Sequence, residues 1–276
     1  MLSRLSGALL RGSLYVLIVV WSALPIAFIV SSSFKPSQDI FTFPPKLIFV
    51  PTFEHYVHLW EQWGPFFVTL RNSLIISVGA TLLTAAVSFL AGFSYSRHTS
   101  QAMALSALYM IAIRLLPPIV VTLPLFPLAD FLGLSDTHVL LIVLYSAFWV
   151  SLFTMIMKTF IDEIPVELDE AAFVDGATQL QTLRHVILPL TLQGMVAGGI
   201  FVFVYSWNEF LFALIFTTQY AKTAPLIISE VMGAVDGTEW GVLFAGVTIQ
   251  LLPVVVMVAL AQRLLIAGLT AGAVKG

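Results

Sequence analysis

One stretch of the chain decides the fold: residues Ile164 to Leu190, with the sequence IPVELDEAAFVDGATQLQTLRHVILPL. It is a long amphiphilic segment between strongly apolar runs, so it must meet water or another protein. Pro165 suits the first position of a helix, where its missing N–H is not needed. Gly176 can take the positive φ with which such a helix ends. These signals predict a short helix of roughly two or three turns between the two residues.

A second helix is predicted to follow directly. Thr178 is suited to cap it, with Gln181 three residues later as in a capping box, and Pro189 is expected to end it. One stripe of this helix is apolar and consists of Leu180, Leu183 and Ile187. A short helix held by a glycine turn against a second helix is suited to docking in a groove on another protein.

An interfacial position on lipid is the alternative for the first helix. The carboxylates of Glu167, Asp169 and Glu170 disfavour contact with an anionic membrane surface. The residues by themselves leave docking and lipid contact open.

The composition indicates a membrane protein. Of the 276 residues, 59% are hydrophobic and only 10% are charged, which leaves too little polar surface for a water-soluble globule. The chain has no cysteine, which excludes disulfides, zinc–thiolate sites and thiol nucleophiles. The five histidines show no metal-ligating spacing on a common face, so no metal site is predicted.

Six apolar runs are long enough to cross a hydrocarbon core of about 30 Å. They predict an all-α membrane protein in which residues 1–276 form a single domain with six transmembrane helices. The predicted spans are residues 13–34, 71–96, 104–124, 138–158, 193–217 and 241–264. The loop between the fourth and fifth spans, residues 159–192, contains the stretch quoted above.

The basic residues favour an orientation with both termini and the 159–192 loop in the cytoplasm. The residues that would then lie inside are Arg4, Arg11, Arg97, Lys158, Arg184, Arg263 and Lys275. Those that would lie outside are Lys35, Lys46, Arg71 and Lys222. Arg114 would lie within the membrane.

The deciding stretch also resembles a family signature. Glu170-Ala171-Ala172, Gly176 and Val186-Ile187-Leu188-Pro189 have the spacing of the EAA loop of ATP-binding-cassette (ABC) importer permeases, with Val186 where that family has Ile. Ser206-Trp207-Asn208-Glu209 and the segment Ala267 to Gly276 are similar to the maltose-type, MalG-like carbohydrate permeases. The resemblance covers essentially the whole chain.

This resemblance implies a fold, a set of partners and a site of coupling. The implied fold is that of a type I ABC importer permease with a cytoplasmic coupling helix, in a bacterial inner membrane. The implied partners are a second homologous permease subunit, two copies of an ABC ATPase and an extracytoplasmic solute-binding protein, without nucleic acid. The residues implied in ATPase coupling are Glu167, Glu170, Ala171, Ala172, Asp175 and Gly176.

The chain lacks the Walker A pattern, whose glycines and lysine cradle nucleotide phosphates. Its two Lys-Thr pairs, Lys158-Thr159 and Lys222-Thr223, follow Met157 and Ala221 and not a glycine. ATP and magnesium are therefore expected on the partner ATPase. No cofactor and no catalytic residue are predicted in this chain.

Arg114 lies near the middle of the third predicted span, where a charge is costly without a partner or a polar interior. Pro117 and Pro118 follow within a turn and predict a break in this helix. Two roles stay open for the guanidinium. It can pair with freed carbonyls or a carboxylate such as Glu209, or it can contact the substrate, for which an anionic sugar supplies a counter-ion.

Trp207, Asn208 and Glu209 are placed about two-thirds of the way across the fifth predicted span. An aromatic face beside an amide and a carboxylate suits a carbohydrate, so these three residues and Arg114 form the predicted substrate path. Helix–helix hydrogen bonding and an aromatic belt are the structural alternatives. Small residues that open this span predict the close approach of another helix: Gly194, Ala197, Gly198 and Gly199.

The predicted function is that of the membrane-spanning permease subunit of a binding-protein-dependent ABC importer. It moves a sugar or sugar derivative inward, driven by ATP hydrolysis on separate subunits. An anionic sugar such as a sulfonated glycoside is one candidate. The alternative is an ion-coupled secondary transporter, in which Arg114 and Glu209 would serve ion coupling.

Overall fold

The computed structural model describes the backbone of residues 2–233 and 237–273, and the side chains of residues 11–233, 237–259 and 262. This described part is built from α-helices and contains no β-strand, as the sequence predicts. The helices are α1 Leu2–Ser32, α2 Glu54–Gln62, α3 Pro65–Arg97, α4 Gln101–Ile113, α5 Pro118–Phe131, α6 His138–Asp162, α7 Glu167–Val174, α8 Gln179–Thr182, α9 Leu188–Trp207, α10 Leu211–Phe216, α11 Ala224–Met232 and α12 Trp240–Ala273.

Five helical segments of the described chain are long and apolar enough to cross a membrane. A sixth crossing results if α4 and α5 count as one broken span, because they pass the same test together and bend by 97° at their junction. The break falls at Arg114–Pro117, where Pro117 caps α5 and Pro118 occupies its first turn. The predicted break in the third span is therefore confirmed.

The prediction that Pro189 ends the second helix of the loop is wrong. The capping box at Thr178 is present, as predicted, with the Thr178 N–H donating to Gln181 Oε1 at 2.7 Å. The chain then continues through a π-helical turn, Leu183–Ile187, directly into α9. Pro189 is tolerated because the π-helical turn directly before it changes the hydrogen-bond register and accommodates the missing N–H.

The fifth predicted span, residues 193–217, is not one helix. The helix that begins at Gln179 ends at Trp207, and α10 starts at Leu211. The Glu209 carboxylate accepts hydrogen bonds from the N–H groups of Phe212 at 2.9 Å and Ala213 at 3.3 Å. Glu209 therefore caps a new helix, which is why the apolar run does not continue unbroken.

The contacts divide the chain into two compact units. One comprises residues 1–67 and 227–252, and the other comprises residues 68–226 and 253–276. The prediction of a single domain stays a prediction. All the predicted site residues belong to the second unit. Three side chains used in the charge count, those of Arg4, Arg263 and Lys275, lie outside the described residues.

The core of the second unit depends on close packing of α6 against α9. A Cβ added at Gly198 would overlap the ring of Phe153, and one added at Gly194 would overlap the ring of Phe160. Gly199, by contrast, faces only a methyl carbon of Thr81 at 3.5 Å. The predicted helix approach at the start of the fifth span is confirmed for Gly194 and Gly198, and the helix that approaches is α6.

The loop between α5 and α6 is tied to the segment after α10 by one carboxylate. Asp136 has φ 57° and accepts hydrogen bonds from the N–H groups of Gln219, Tyr220 and Ala221 at 2.9–3.0 Å and from the Thr218 hydroxyl at 3.0 Å. Burial alone would raise the pKa of Asp136, but these donors outweigh it and the pKa lies below its usual value. The ionised carboxylate therefore stabilises this loop pair.

Candidate functional site

The helix α7 has the predicted short length and ends at Val174, and Gly176, two residues later, has a φ of +84°. The Gly176 N–H donates to the Phe173 carbonyl at 3.0 Å, and the Ala177 N–H donates to the Ala172 carbonyl at 2.9 Å. This pair of bonds is the Schellman motif, which satisfies the last carbonyls of a helix. The prediction of a positive φ at Gly176 is confirmed, and the geometry sends the chain sharply from α7 into α8.

The surface formed by α7 and α8 presents exposed apolar side chains. Val174 is 88% exposed and Leu180 is 71% exposed. Further exposed apolar side chains on the same segment are Val166, Leu168 and Phe173. Next to them lies an open groove of about 310 Å³, lined by Asp175, Gly176, Ala177, Gln181, Thr182, His185 and Val186. Exposed apolar surface beside a groove is typical of an interaction site.

Of the residues implied in coupling, Glu167, Glu170 and Ala171 are exposed on α7, Ala172 is half-buried, and Asp175 and Gly176 line the groove. The structure thus brings all six to one short helix and the turn that follows it. Their role in ATPase coupling stays a prediction.

The third carboxylate of α7 has a different environment. Asp169 is buried, and its Oδ2 accepts a hydrogen bond from Arg97 Nε at 2.6 Å. Arg97, the last residue of α3, also donates to the carbonyls of Ile161 at 3.3 Å and Ile164 at 3.0 Å. One guanidinium therefore joins α7 to the ends of α3 and α6. Sequence reasoning missed this pair, because 72 residues separate its members and no local pattern links them.

Arg114 lies at the break between α4 and α5, next to aromatic rings of α6. Its guanidinium carbon is 4.9 Å from the ring centre of Trp149 and 5.2 Å from that of Phe148, distances typical of cation–π contacts. Its Nη1 is buried and has no hydrogen-bond partner among the described residues. The expected pairing with Glu209 is not formed, because that carboxylate caps α10.

The other residues of the predicted substrate path lie at the break between α9 and α10. Trp207 is only 1% exposed and stacks on Phe203 with ring centres 5.7 Å apart, so it is a core side chain within this chain. Asn208 is exposed and donates to the Val204 carbonyl at 2.7 Å. The placement of these residues two-thirds across an unbroken span is wrong, and their contact with substrate stays a prediction.

Residues 85–270, well over half of the chain, match the family described as the binding-protein-dependent transport system inner membrane component. The chain belongs to this family. It is therefore a multi-pass membrane protein and a component of a transporter, and the resemblance found in its EAA loop is confirmed.

Individual relatives extend over nearly the whole chain. It is 33% identical to the trehalose/maltose transport system permease protein MalG of Thermococcus litoralis, covering 95% of this chain and 94% of the relative. It is 30% identical to the sulfoquinovosyl glycerol transport system permease protein SmoH of Agrobacterium fabrum, covering 99% and 96%.

A solved structure shows the same fold. One chain of a bacterial ABC transporter involved in the import of the acidic polysaccharide alginate superposes with a TM-score of 0.79, at 16% identity, covering 95% of this chain and 97% of that one. The ABC importer permease fold predicted from the sequence is therefore confirmed. The ion-coupled secondary transporter finds no support in these relatives.

Proposed function

We propose that this chain is one of two permease subunits of an ABC importer that moves a sugar or sugar derivative inward. The observation that carries the proposal is the coupling surface, formed by α7, Gly176 and α8. It presents exposed apolar side chains and a groove, and the buried Arg97–Asp169 pair anchors it to the membrane helices. The exposed apolar side chains can bind a partner protein, and the buried ion pair can transmit a movement of that partner to the membrane helices.

The partner in this proposal is an ABC ATPase in two copies, which binds ATP and magnesium. A second homologous permease completes the pathway, and an extracytoplasmic binding protein delivers the sugar. Both termini then lie in the cytoplasm of a bacterial cell. The chain itself carries no catalytic residue, because its task is to convert the movement of the ATPases into a change of access.

The sugar class rests on the relatives. Two of the relatives that match over nearly their whole length are named as permeases for trehalose and maltose and for sulfoquinovosyl glycerol. A carbohydrate is therefore the cargo that we propose, and a sulfonated or otherwise acidic sugar is within the range of these relatives.

The test uses the complex purified through this chain and reconstituted in liposomes. We expect it to contain an ATPase and to take up sugar with ATP and without an ion gradient. Gly176→Val should then lower uptake at least tenfold while ATP hydrolysis persists, because a β-branched residue is strained at positive φ and misplaces α7.

Gly133 is a matched control, since it also has positive φ (+65°) and open space around it, but it lies in the loop after α5. Gly133→Val carries the same backbone strain away from the coupling surface, so uptake per folded complex should be unchanged. Gly176→Asn, which tolerates positive φ, should restore most of the uptake. Normal uptake by Gly176→Val, or uptake driven by an ion gradient without ATP, would contradict the proposal.

A further inference from the structure

We infer that the cavity beside Arg114 binds the acidic group of the transported sugar, an inference that rests on the proposed function and names its substrate class. The occupant is a carboxylate or sulfonate carried on a saccharide.

The first observation is a guanidinium N–H without an acceptor in the described part of the chain, at a residue next to the middle of helix α6. Arg114 follows the 13 residues of α4, and its two aromatic neighbours, Phe148 and Trp149, lie at the middle of the 25-residue helix α6. A cation there requires a partner. The two rings supply part of the stabilisation, but the buried Nη1 has no acceptor among the described residues. An oxyanion satisfies both the charge and the free N–H.

The second observation is a space of suitable size at this guanidinium. The cavity has a volume of about 150 Å³ and is lined mostly by apolar side chains from α5, α6 and α10, together with Arg114 and Ser151. Whole-ligand pockets measure roughly 300–1,000 Å³. The cavity is therefore too small for a disaccharide and large enough for one of its substituents.

The third observation is a second donor in the same cavity. Ser151 is 5% exposed, and its Oγ has no hydrogen-bond partner among the described residues. A buried hydroxyl without a partner costs free energy. Arg114 and Ser151 therefore present two unsatisfied donors to one cavity, whose other lining residues, such as Phe148 and Phe212, offer ring faces for the C–H groups of a sugar.

The fourth observation is the position of the cavity at interrupted helices. It lies at the break between α4 and α5, and α10, which begins after the break that follows Trp207, contributes Phe212 to its wall. Substrate sites in transporters lie near the membrane midplane where helices are discontinuous, because unwound backbone is tolerated only beside a cavity or within protein. A packing defect has no reason to coincide with both breaks.

A carboxylate from the partner permease is the competing occupant. It would satisfy Arg114 permanently, as part of assembly, and its loss would destabilise the complex regardless of the sugar. Measuring both the yield of assembled complex and the substrate selectivity of Arg114 variants therefore distinguishes a sugar from a partner carboxylate.

The test compares a matched pair of probes, sulfoquinovosyl glycerol and glucosyl glycerol, which share a sugar and an aglycone and differ in a sulfonate against a hydroxyl. Uptake of each is measured in liposomes containing the whole complex with its binding protein. We expect the wild type to prefer the sulfonated probe by at least tenfold. Arg114→Gln should reduce this ratio at least tenfold with unchanged complex yield, and Arg114→Lys should keep part of it because the charge remains.

Arg71→Gln serves as the control, since it removes an exposed positive charge from α3 that does not line the cavity. It should leave the uptake ratio unchanged. Three results would overturn the inference: a wild-type preference for the neutral probe, an equal loss of both probes in Arg114→Gln, or loss of complex yield in that variant, which would assign the guanidinium to a partner carboxylate. If the wild type takes up neither probe nor any neutral disaccharide with ATP, the proposed function fails as well.

Discussion

Breaking the Arg97–Asp169 pair should release α7 from the membrane helices. The two side chains are only 9% and 7% exposed, and the Arg97 Nε to Asp169 Oδ2 distance is 2.6 Å. Removing one partner of such a buried pair costs about 3–5 kcal/mol, because the other charge stays buried without compensation. Arg97→Met also frees the carbonyls of Ile161 and Ile164. Asp169→Asn leaves those two bonds in place and should therefore cost less.

The loss can be measured locally by hydrogen exchange of the α7 amides. A cost of about 3–5 kcal/mol corresponds to an increase in opening of roughly 100- to 4,000-fold. Exchange across Glu167–Val174 should therefore accelerate at least about 100-fold in Arg97→Met, or reach the unprotected rate. The double variant Arg97→Met/Asp169→Leu should recover much of the protection, since no lone charge remains buried.

The pair Lys158–Asp162 provides the control, because it lies at the end of α6 with side chains 37% and 41% exposed. An exposed pair of this kind is worth about 0–1 kcal/mol, so Asp162→Asn should change exchange in α7 by no more than a few-fold. The reasoning is refuted if Arg97→Met and Asp162→Asn behave alike, or if the effects of Arg97→Met and Asp169→Leu, each measured singly, add up in the double variant.

Two further outcomes follow from the packing and from the loop carboxylate. Gly198→Ala should destabilise the protein by about 1–3 kcal/mol through overlap with Phe153, whereas the adjacent Gly199→Ala should be neutral within about 0.5 kcal/mol. Equal melting temperatures of the two variants in detergent would contradict this account. Because the pKa of Asp136 is lowered in the folded protein, its stabilisation should be complete above the unfolded value of about 3.9 and be lost as the pH falls through the folded pKa. Asp136→Asn should abolish this acid-dependent loss of stability in thermal melts taken between pH 6 and 3. An Asp136→Asn variant with the pH dependence of the wild type would contradict the assignment to Asp136.

Local signals in the sequence predicted local structure well. The turn at Gly176, the cap formed by Thr178 and Gln181, and the break at Pro117 each depend on a few neighbouring residues, and all three are present. The prediction that Pro189 ends the helix is wrong because the π-helical turn before it accommodates the missing N–H. That turn has no simple sequence signal.

Features that join distant residues could not be predicted from spacing. The sequence predicts that Arg114 needs a partner, and the structure places the rings of Phe148 and Trp149 on α6 next to it. The apolar pattern of α6 does not reveal which of its faces meets a cation. The Glu209 carboxylate is a chemically suitable acceptor for Arg114. It is bonded instead to the N–H groups of Phe212 and Ala213, which are free because a new helix begins after the break that follows Trp207. Tertiary packing therefore decided the site, whereas local chemistry decided the helices and turns.

The π-helical turn also has a consequence for how the second unit moves. Gln179 to Trp207 is one uninterrupted helical rod of 29 residues, about 43 Å long, with the coupling surface at one end and the break beside α10 at the other. One extra residue in a turn rotates everything beyond it by about 100°. The cap at Thr178 lies at one end of this rod, and Gly194 and Gly198 pack against α6 farther along it. A displacement imposed at the end that carries Gln179 therefore reaches the end at Trp207 as a motion of one helical rod.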